Sequence, residues 1–74
     1  MGLPADQAMA VHYWRLAAEQ DVAEAQFNLG VAYIEGKGVE RDAAQAIGWW
    51  RKAADLGFPQ AMENIRLLEG EQKH

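Results

Sequence analysis

The sequence predicts an all-α fold, an α-solenoid of about four helices stacked as antiparallel pairs. Three observations support this prediction. The chain repeats itself at an offset of 36 residues, and internal periods of this size are typical of solenoid proteins. The repeated segments carry apolar residues at the 3.6-residue spacing of a helix. Glycines and prolines separate these segments, and no strand-like alternation is present. At 74 residues, the chain 1–74 is expected to form a single domain.

Composition and charge exclude several classes of protein. Half of the residues are apolar and 24% are charged, which is typical of a folded chain rather than a disordered one. The chain has no cysteine, so we expect neither a disulfide framework nor a thiolate metal site. The net charge is −4 and the seven basic residues are scattered, which disfavours a nucleic-acid partner. No apolar run approaches the length of a membrane span, and residues 1–4 lack the features of a signal peptide, so no membrane partner is expected.

The internal repeat is strongest between residues 6–18 and 42–54. The aligned pairs are Asp6/Asp42, Ala8/Ala44, Ala10/Ala46, Trp14/Trp50, Arg15/Arg51, Ala17/Ala53 and Ala18/Ala54, continued by Ala25/Ala61, Asn28/Asn64 and Leu29/Ile65. A single offset that holds over this length indicates copies of one structural unit.

The first two helices are predicted over residues 6–20 and 23–35. Their inward-facing residues are Ala10, Val11, Trp14, Ala17 and Ala18 in the first helix and Ala25, Leu29, Ala32 and Tyr33 in the second. A break is expected near residues 21–22, where Asp21 stands in the position of Gly57 and gives a weaker stop signal. Gly36 and Gly38 end the second helix, and we expect Val39 to hold the loop against the core.

The third and fourth helices are predicted on either side of a break near residues 57–59. The third follows Asp42, a favourable N-cap residue, and stops at Gly57, while Pro59 prevents its continuation. The fourth runs over about residues 60–69. The inward-facing residues are Ala46, Ile47, Trp50, Ala53 and Ala54 in the third helix and Ala61, Ile65 and Leu68 in the fourth.

Two tryptophans, Trp14 and Trp50, are predicted to be core residues because both lie in the inward stripe. The small alanines around them allow neighbouring backbones to approach closely. A buried ring of this size contributes ~3–5 kcal/mol. Tyr13 and Trp49 lie one position earlier, about 100° round the helix. They either pack between helix layers or form an exposed contact surface.

The segment from Ala25 to Gly57 resembles a known repeat. It is similar to the tetratricopeptide pattern, with Leu29-Gly30-x-x-Tyr33, Ala46-x-x-x-Trp50 and Pro59. The 36-residue period and the Gly36-x-Gly38-Val39 loop resemble more specifically the Sel-one-like repeat family. The matching positions are Ala25, Leu29, Gly30, Tyr33, Gly36, Gly38, Val39, Asp42, Ala46, Ala53, Ala54 and Gly57, with Trp49 and Trp50 at the aromatic positions.

The resemblance implies a right-handed, tetratricopeptide-like superhelical stack and a division of the chain. Residues 6–21 correspond to the second helix of a partial repeat, residues 23–57 to a complete repeat, and residues 59–70 to the first helix of a further partial repeat. The positions expected to carry the structure are Trp14, Trp50, Leu29, Gly30, Tyr33, Gly36, Gly38, Asp42 and Gly57.

The last helix departs from the repeat pattern. Arg66 and Glu69 replace Gly30 and Tyr33, and a polar outer face of this kind is typical of a C-terminal cap. Members of the family resembled are adaptor and scaffold proteins, common in bacteria and in protein-quality-control and signalling complexes. The resemblance therefore implies a protein-binding role.

The resemblance also implies where a partner would bind. In tetratricopeptide relatives the first helix of each unit lines a concave groove, and asparagines aligned with Asn28 and Asn64 bind a peptide backbone or carboxylate. An amide offers donors and an acceptor, which suits an extended ligand. A carboxylate clamp is disfavoured because Glu24 and Gln60 occupy the position where relatives carry a basic residue. Alternatively, both asparagines hydrogen-bond within the solenoid. The predicted partner-binding residues are Glu24, Phe27, Asn28, Val31, Glu35, Gln60 and Asn64.

No catalytic constellation is predicted. His12 is interpreted as a surface residue, and the carboxylates fit capping and solvation. The chain shows no nucleophile paired with a base, and Gly36-Lys37-Gly38 is too short to cradle a phosphate. We therefore expect no enzymatic activity, no cofactor and no metal.

The sequence thus predicts a protein–protein interaction module or scaffold that binds a protein or peptide on its helical-repeat surface. The alternative is a structural self-association unit. In that alternative the first helix, which carries Met9, Tyr13 and Leu16, pairs with a second copy to form a homodimer.

Overall fold

The computed structural model describes residues 4–72, which form four helices and no strand. The helices are α1 (Pro4–Glu19), α2 (Ala23–Glu35), α3 (Ala43–Asp55) and α4 (Pro59–Gln72). The connections fall at the predicted breaks. Pro59 is the first residue of α4 rather than only a barrier after α3, because proline at the first helical position lacks an N–H that would be unpaired there anyway. α1 also begins earlier than predicted, at Pro4.

Each helix packs on the next one along the chain: α1 on α2, α2 on α3 and α3 on α4. Contacts between sequential neighbours are the packing pattern of a helical-repeat solenoid. The predicted all-α solenoid is therefore confirmed.

The core consists of two clusters of buried residues. The first cluster comprises Val11, Ala18, Ala25, Leu29, Ala32, Tyr33 and Ala46, and the second comprises Trp50, Ala53, Ala61 and Ile65. Ile34 of α2 packs against both. The core is thus continuous along the stack, with α2 at its centre.

Trp50 fixes α3 on α2. The side chain is only 3% exposed, and its Nε1 donates a hydrogen bond to the Phe27 carbonyl at 3.1 Å. The indole lies directly over Gly30, where a Cβ would come within 2.3 Å of Nε1. Gly30 is therefore required for this close approach, and the prediction that Trp50 is a core residue is confirmed.

The prediction that Trp14 is a core residue is wrong. Trp14 was expected in the core like Trp50, but it is only partly buried and packs at the edge of the first cluster. The reason is its neighbourhood, since none of the described helices covers Trp14 as α2 covers Trp50. The residues beside the two tryptophans also differ, because Trp49 is partly buried against the first cluster while Tyr13 is 68% exposed.

The connection between α2 and α3 returns the chain across the end of α2. Gly36 adopts a left-handed conformation with φ 68°, and its N–H donates to the Ala32 carbonyl. The Arg41 side chain donates to the Ile34 carbonyl at 2.9 Å, which satisfies a further helix-end acceptor. Asp42 then caps α3 as predicted, accepting a hydrogen bond from the Gln45 N–H at 3.1 Å.

Candidate functional site

An open groove runs between α1 and α2, and we call it the Trp14 groove. Its volume is about 210 Å³. The lining residues are Gln7, Ala10 and Trp14 from α1, Asn28, Val31, Ala32 and Glu35 from α2, and Lys37 from the following loop. The groove is therefore mainly apolar at its floor and polar at its edges.

A second recess continues the Trp14 groove towards the turn between α1 and α2. Its lining residues are Tyr13, Trp14, Ala17, Val22, Glu24, Ala25 and Asn28. Trp14 and Asn28 line both spaces, so the two side chains stand at the middle of one extended surface. An apolar ring beside an amide offers both burial and hydrogen bonding to a ligand.

The loop after α2 closes one end of the groove. Gly38 has φ 79°, and a Cβ at this position would lie 2.6 Å from the Gln7 carbonyl oxygen and 2.9 Å from Val11 Cγ2. Only glycine therefore lets the loop rest against the start of α1. Val39 packs against the first cluster, as predicted, and the adjoining Lys37 is placed at the groove edge.

The wall formed by α1 is anchored on its other side by two side-chain contacts. Arg15 Nη2 donates to the Tyr33 hydroxyl at 3.0 Å, and the guanidinium lies 5.8 Å from the centre of the Tyr33 ring. The fully buried Gln26 donates through Nε2 to the Ala18 carbonyl at 3.0 Å. These contacts hold α1 and α2 in a fixed relation, so the groove is a preformed feature of the fold.

The predicted partner-binding residues separate into three groups. Asn28, Val31 and Glu35 line the Trp14 groove, and Glu24 lines its continuation. Phe27 is partly buried and packs against the second cluster, with its ring centre 5.1 Å from that of Phe58. Phe27 therefore does not line the Trp14 groove or its continuation.

Gln60 and Asn64 form the third group and lie on α4, away from the Trp14 groove. The predicted set is thus not one continuous surface. Neither Asn28 nor Asn64 makes a side-chain hydrogen bond to another residue of the described part of the chain. The interpretation that the asparagines bond within the solenoid is therefore not supported for these residues.

The sequence did not identify the α1 side of the groove. Gln7 of α1 and Lys37 of the loop carried no distinctive signal, and Ala10 and Trp14 were both predicted to face the core. A helix stripe shows which residues share a face, but it does not show whether another helix covers that face.

The outer face of α3 and α4 differs from the Trp14 groove in charge. The recess there is lined by Arg51, Ala54, Asp55, Met62, Ile65 and Glu69. Arg51 Nη2 lies 3.5 Å from Glu69 Oε2 in an exposed ion pair. The aromatic, apolar groove at one end of the stack and the charged recess at the other suit different contacts.

Nothing in the described residues indicates a metal centre, because no three His, Asp or Glu side chains come together. No helix in the described part of the chain is long and apolar enough to cross a membrane. His12 is exposed, as predicted.

Comparison with known proteins supports the repeat interpretation. The family model of the Sel1 repeat matches residues 1–22 and again residues 23–58. A search of curated proteins and a search of solved structures gave no significant match. Sel1 repeats are tetratricopeptide-like helical repeats that generally act as non-catalytic adaptors in protein–protein interaction. The matched segments span most of the chain, and together with the stacked helices they show that it belongs to the Sel1 repeat family.

Proposed function

We propose that this chain is a scaffold module that binds a protein or peptide partner in the Trp14 groove. The observation that carries the proposal is the open, preformed surface on which the half-buried Trp14 ring stands beside the Asn28 amide, which makes no side-chain hydrogen bond to the described residues. Tryptophans in such positions are enriched among the residues that contribute most to protein–protein binding.

The groove chemistry favours a partner with both apolar and polar groups. Trp14 and Val31 offer apolar area, while Asn28 offers two donors and an acceptor to a backbone or a polar side chain. Glu24 and Glu35 lie at the edges, where Glu35 is 3.4 Å from Lys37 Nζ in an exposed pair that contributes little to stability.

We also propose the repeat organisation that places this groove. Residues 6–21 are the second helix of a partial repeat, residues 23–57 a complete repeat, and residues 59–70 the first helix of a partial, capping repeat. The junction of the two matched segments between residues 22 and 23 supports the first boundary. The exposed Arg66 and Glu69 of α4 support the capping role.

Binding without catalysis is the role we propose for the chain, with no cofactor and no nucleic-acid or membrane partner. The support is the general behaviour of the family and the acidic net charge of −4. A partner is then held by contacts alone.

The proposal is tested by selecting binding peptides from a displayed library on the full chain and measuring their affinity for variants. Trp14→Ala and Asn28→Ala are each expected to weaken binding about tenfold or more, because each removes a central contact. Asn64→Ala is the matched control, since it removes the same amide from α4, and its affinity should be unchanged. Equal affinities for all three variants, or a library that yields no binder, would contradict the proposal.

Self-association is the second candidate, favoured by the exposed face of α1. Met9 is 70%, Tyr13 68% and Leu16 51% exposed, and the three positions share one side of the helix. In this candidate two copies pair these faces about a two-fold axis. Sedimentation equilibrium at about tens of micromolar should then show a dimer that Tyr13→Glu converts to a monomer. An 8.2 kDa monomer for the unmodified chain would exclude it.

A further inference from the structure

We infer that the partner enters the Trp14 groove as an α-helix that presents a glycine to the Trp14 ring. The inference extends the proposed function by giving the chemistry of the partner. The expected helix carries an aromatic or large apolar residue three positions before the glycine and a branched apolar residue four positions after it. These three residues share one helix face.

The packing of α2 on α3 shows what such a helix does. Phe27, Gly30 and Ile34 of α2 have the required spacing, and Phe27 and Ile34 pack with Trp50 in the second cluster. The Trp50 indole lies over Gly30, and its Nε1 donates a hydrogen bond to the Phe27 carbonyl. The ring centres of Phe27 and Trp50 are 6.4 Å apart.

The Trp14 groove is the same surface one repeat earlier. At the 36-residue offset, the groove residues Ala10, Trp14, Asn28 and Ala32 correspond to Ala46, Trp50, Asn64 and Leu68. In the later copy α2 covers this surface: Ala46 and Trp50 are buried, and Leu68 is packed against the second cluster. In the earlier copy Ala10 and Trp14 are only partly buried. The fold thus contains both the open groove and an example of a helix that fits it.

The hydrogen-bonding state of the two tryptophans agrees with this interpretation. Trp50 Nε1 has its acceptor on α2, whereas Trp14 makes no side-chain hydrogen bond to the described residues. A partner helix with glycine at the contact would bring its own carbonyl, three residues earlier, to Trp14 Nε1. A buried indole N–H normally finds such an acceptor.

A second copy of this chain does not supply the helix in its native form. The helix equivalent to α2 is α4, and the three contact positions there are Glu63, Arg66 and Gly70 in place of Phe27, Gly30 and Ile34. The Arg66 side chain would occupy the space that the Trp14 ring needs. α2 itself is already packed between α1 and α3. The occupant we infer is a helix of a partner protein that carries the three contact residues.

The inference is tested with a synthetic, end-capped peptide of residues 23–36 as the probe and the full chain as the receptor. Binding is followed by the NMR signal of the Trp14 indole N–H, assigned with Trp14→Phe. We expect this signal to shift on titration. The same peptide with Gly30→Ala should bind about tenfold more weakly, because the added methyl overpacks the contact.

The alanine peptide is a stringent control. Alanine is the better helix former, so helix propensity alone would make this peptide bind more tightly. Equal or tighter binding of the alanine peptide would overturn the requirement for glycine. If neither peptide moves the Trp14 signal, the inference fails.

A second experiment avoids the low helicity of a short free peptide by rebuilding α4. The variant Glu63→Phe/Arg66→Gly/Gly70→Ile gives α4 the contact residues of α2 and should assemble end to end, with a molar mass that rises with concentration. The matched variant with Arg66→Ala should stay at the mass of the unmodified chain. Assembly of both, or of neither, would contradict the inference. If library-selected peptides still lose affinity with Trp14→Ala, the groove function stands and only the helix requirement is wrong.

Discussion

The turns that follow α1 and α3 have the same backbone structure built from different residues. After α1, the Asp21 N–H donates to the Ala18 carbonyl at 3.0 Å and the Val22 N–H to the Ala17 carbonyl at 3.2 Å. Asp21 is the only non-glycine residue with positive φ in the described part of the chain, at 64°. This pattern is a Schellman motif, which needs a left-handed residue.

After α3, the equivalent bonds run from Gly57 to Ala54 at 2.9 Å and from Phe58 to Ala53 at 3.0 Å. Gly57 adopts φ 90° without a side-chain penalty. Both copies of the repeat thus have the same turn geometry, and the residue at the left-handed position determines the backbone strain in each turn. The two tryptophans likewise occupy equivalent positions but differ in burial, because among the described helices α2 covers Trp50 and none covers Trp14 in the same way.

The largest expected difference in stability is between variants that remove one or the other tryptophan ring. Trp50→Ala should lower the free energy of unfolding by ~3–5 kcal/mol, because it removes a buried ring and leaves a cavity. Trp14→Ala should cost only about 1–2 kcal/mol, since part of the ring is already in water. Urea denaturation followed by circular dichroism gives both values. Equal losses would show that Trp14 is buried in solution.

Gly30→Ala should have the next largest effect. Its Cβ would meet the Trp50 indole within 2.3 Å, and overpacking of this kind costs about 1–3 kcal/mol. Gly48→Ala is the control in α3, where a Cβ meets nothing within 4 Å. It should raise stability by ~1 kcal/mol through helix propensity. Thermal unfolding of the two variants should therefore move in opposite directions.

Substitutions in the two turns should change the free energy of unfolding by smaller amounts and in opposite directions. Asp21→Gly should stabilise the chain by about 1 kcal/mol by removing the cost of a left-handed non-glycine residue. Gly57→Ala should destabilise it by a similar amount, although its Cβ would meet no neighbour within 4 Å. Chemical denaturation measures both. A stabilising Gly57→Ala would mean that helix propensity outweighs backbone strain here.

The smallest effect concerns two equivalent pairs, Arg15–Tyr33 and Arg51–Glu69. Tyr33→Phe should cost about 1 kcal/mol, because the hydrogen bond to Arg15 is partly buried. Glu69→Gln should cost less than ~0.5 kcal/mol, since both side chains of that pair are more than half exposed. Only the second pair should weaken as salt is added, because exposed charges are screened. Denaturation at low and high salt tests this difference.

The candidate site was predicted from the sequence only in part. Asn28, Val31 and Glu35 share a helix face through their spacing and line the Trp14 groove, and their role in binding a partner stays a prediction. Phe27, which was predicted with them, does not line that groove, and its partly buried ring packs near those of Trp50 and Phe58. The spacing of residues along α2 does not show which of its sides faces α3.

The sequence by itself determined the helices, their breaks, the Asp42 cap and the family, because these depend on local propensities and on a repeat pattern carried by single positions. Only the tertiary structure decided that Trp14 is open while Trp50 is buried, and that Asp21 adopts the conformation of Gly57. Burial of a side chain depends on which helix lies beside it. The repeated helices α1 and α3 have similar sequences, but α2 lies over the tryptophan of α3 and not over that of α1 in the same way.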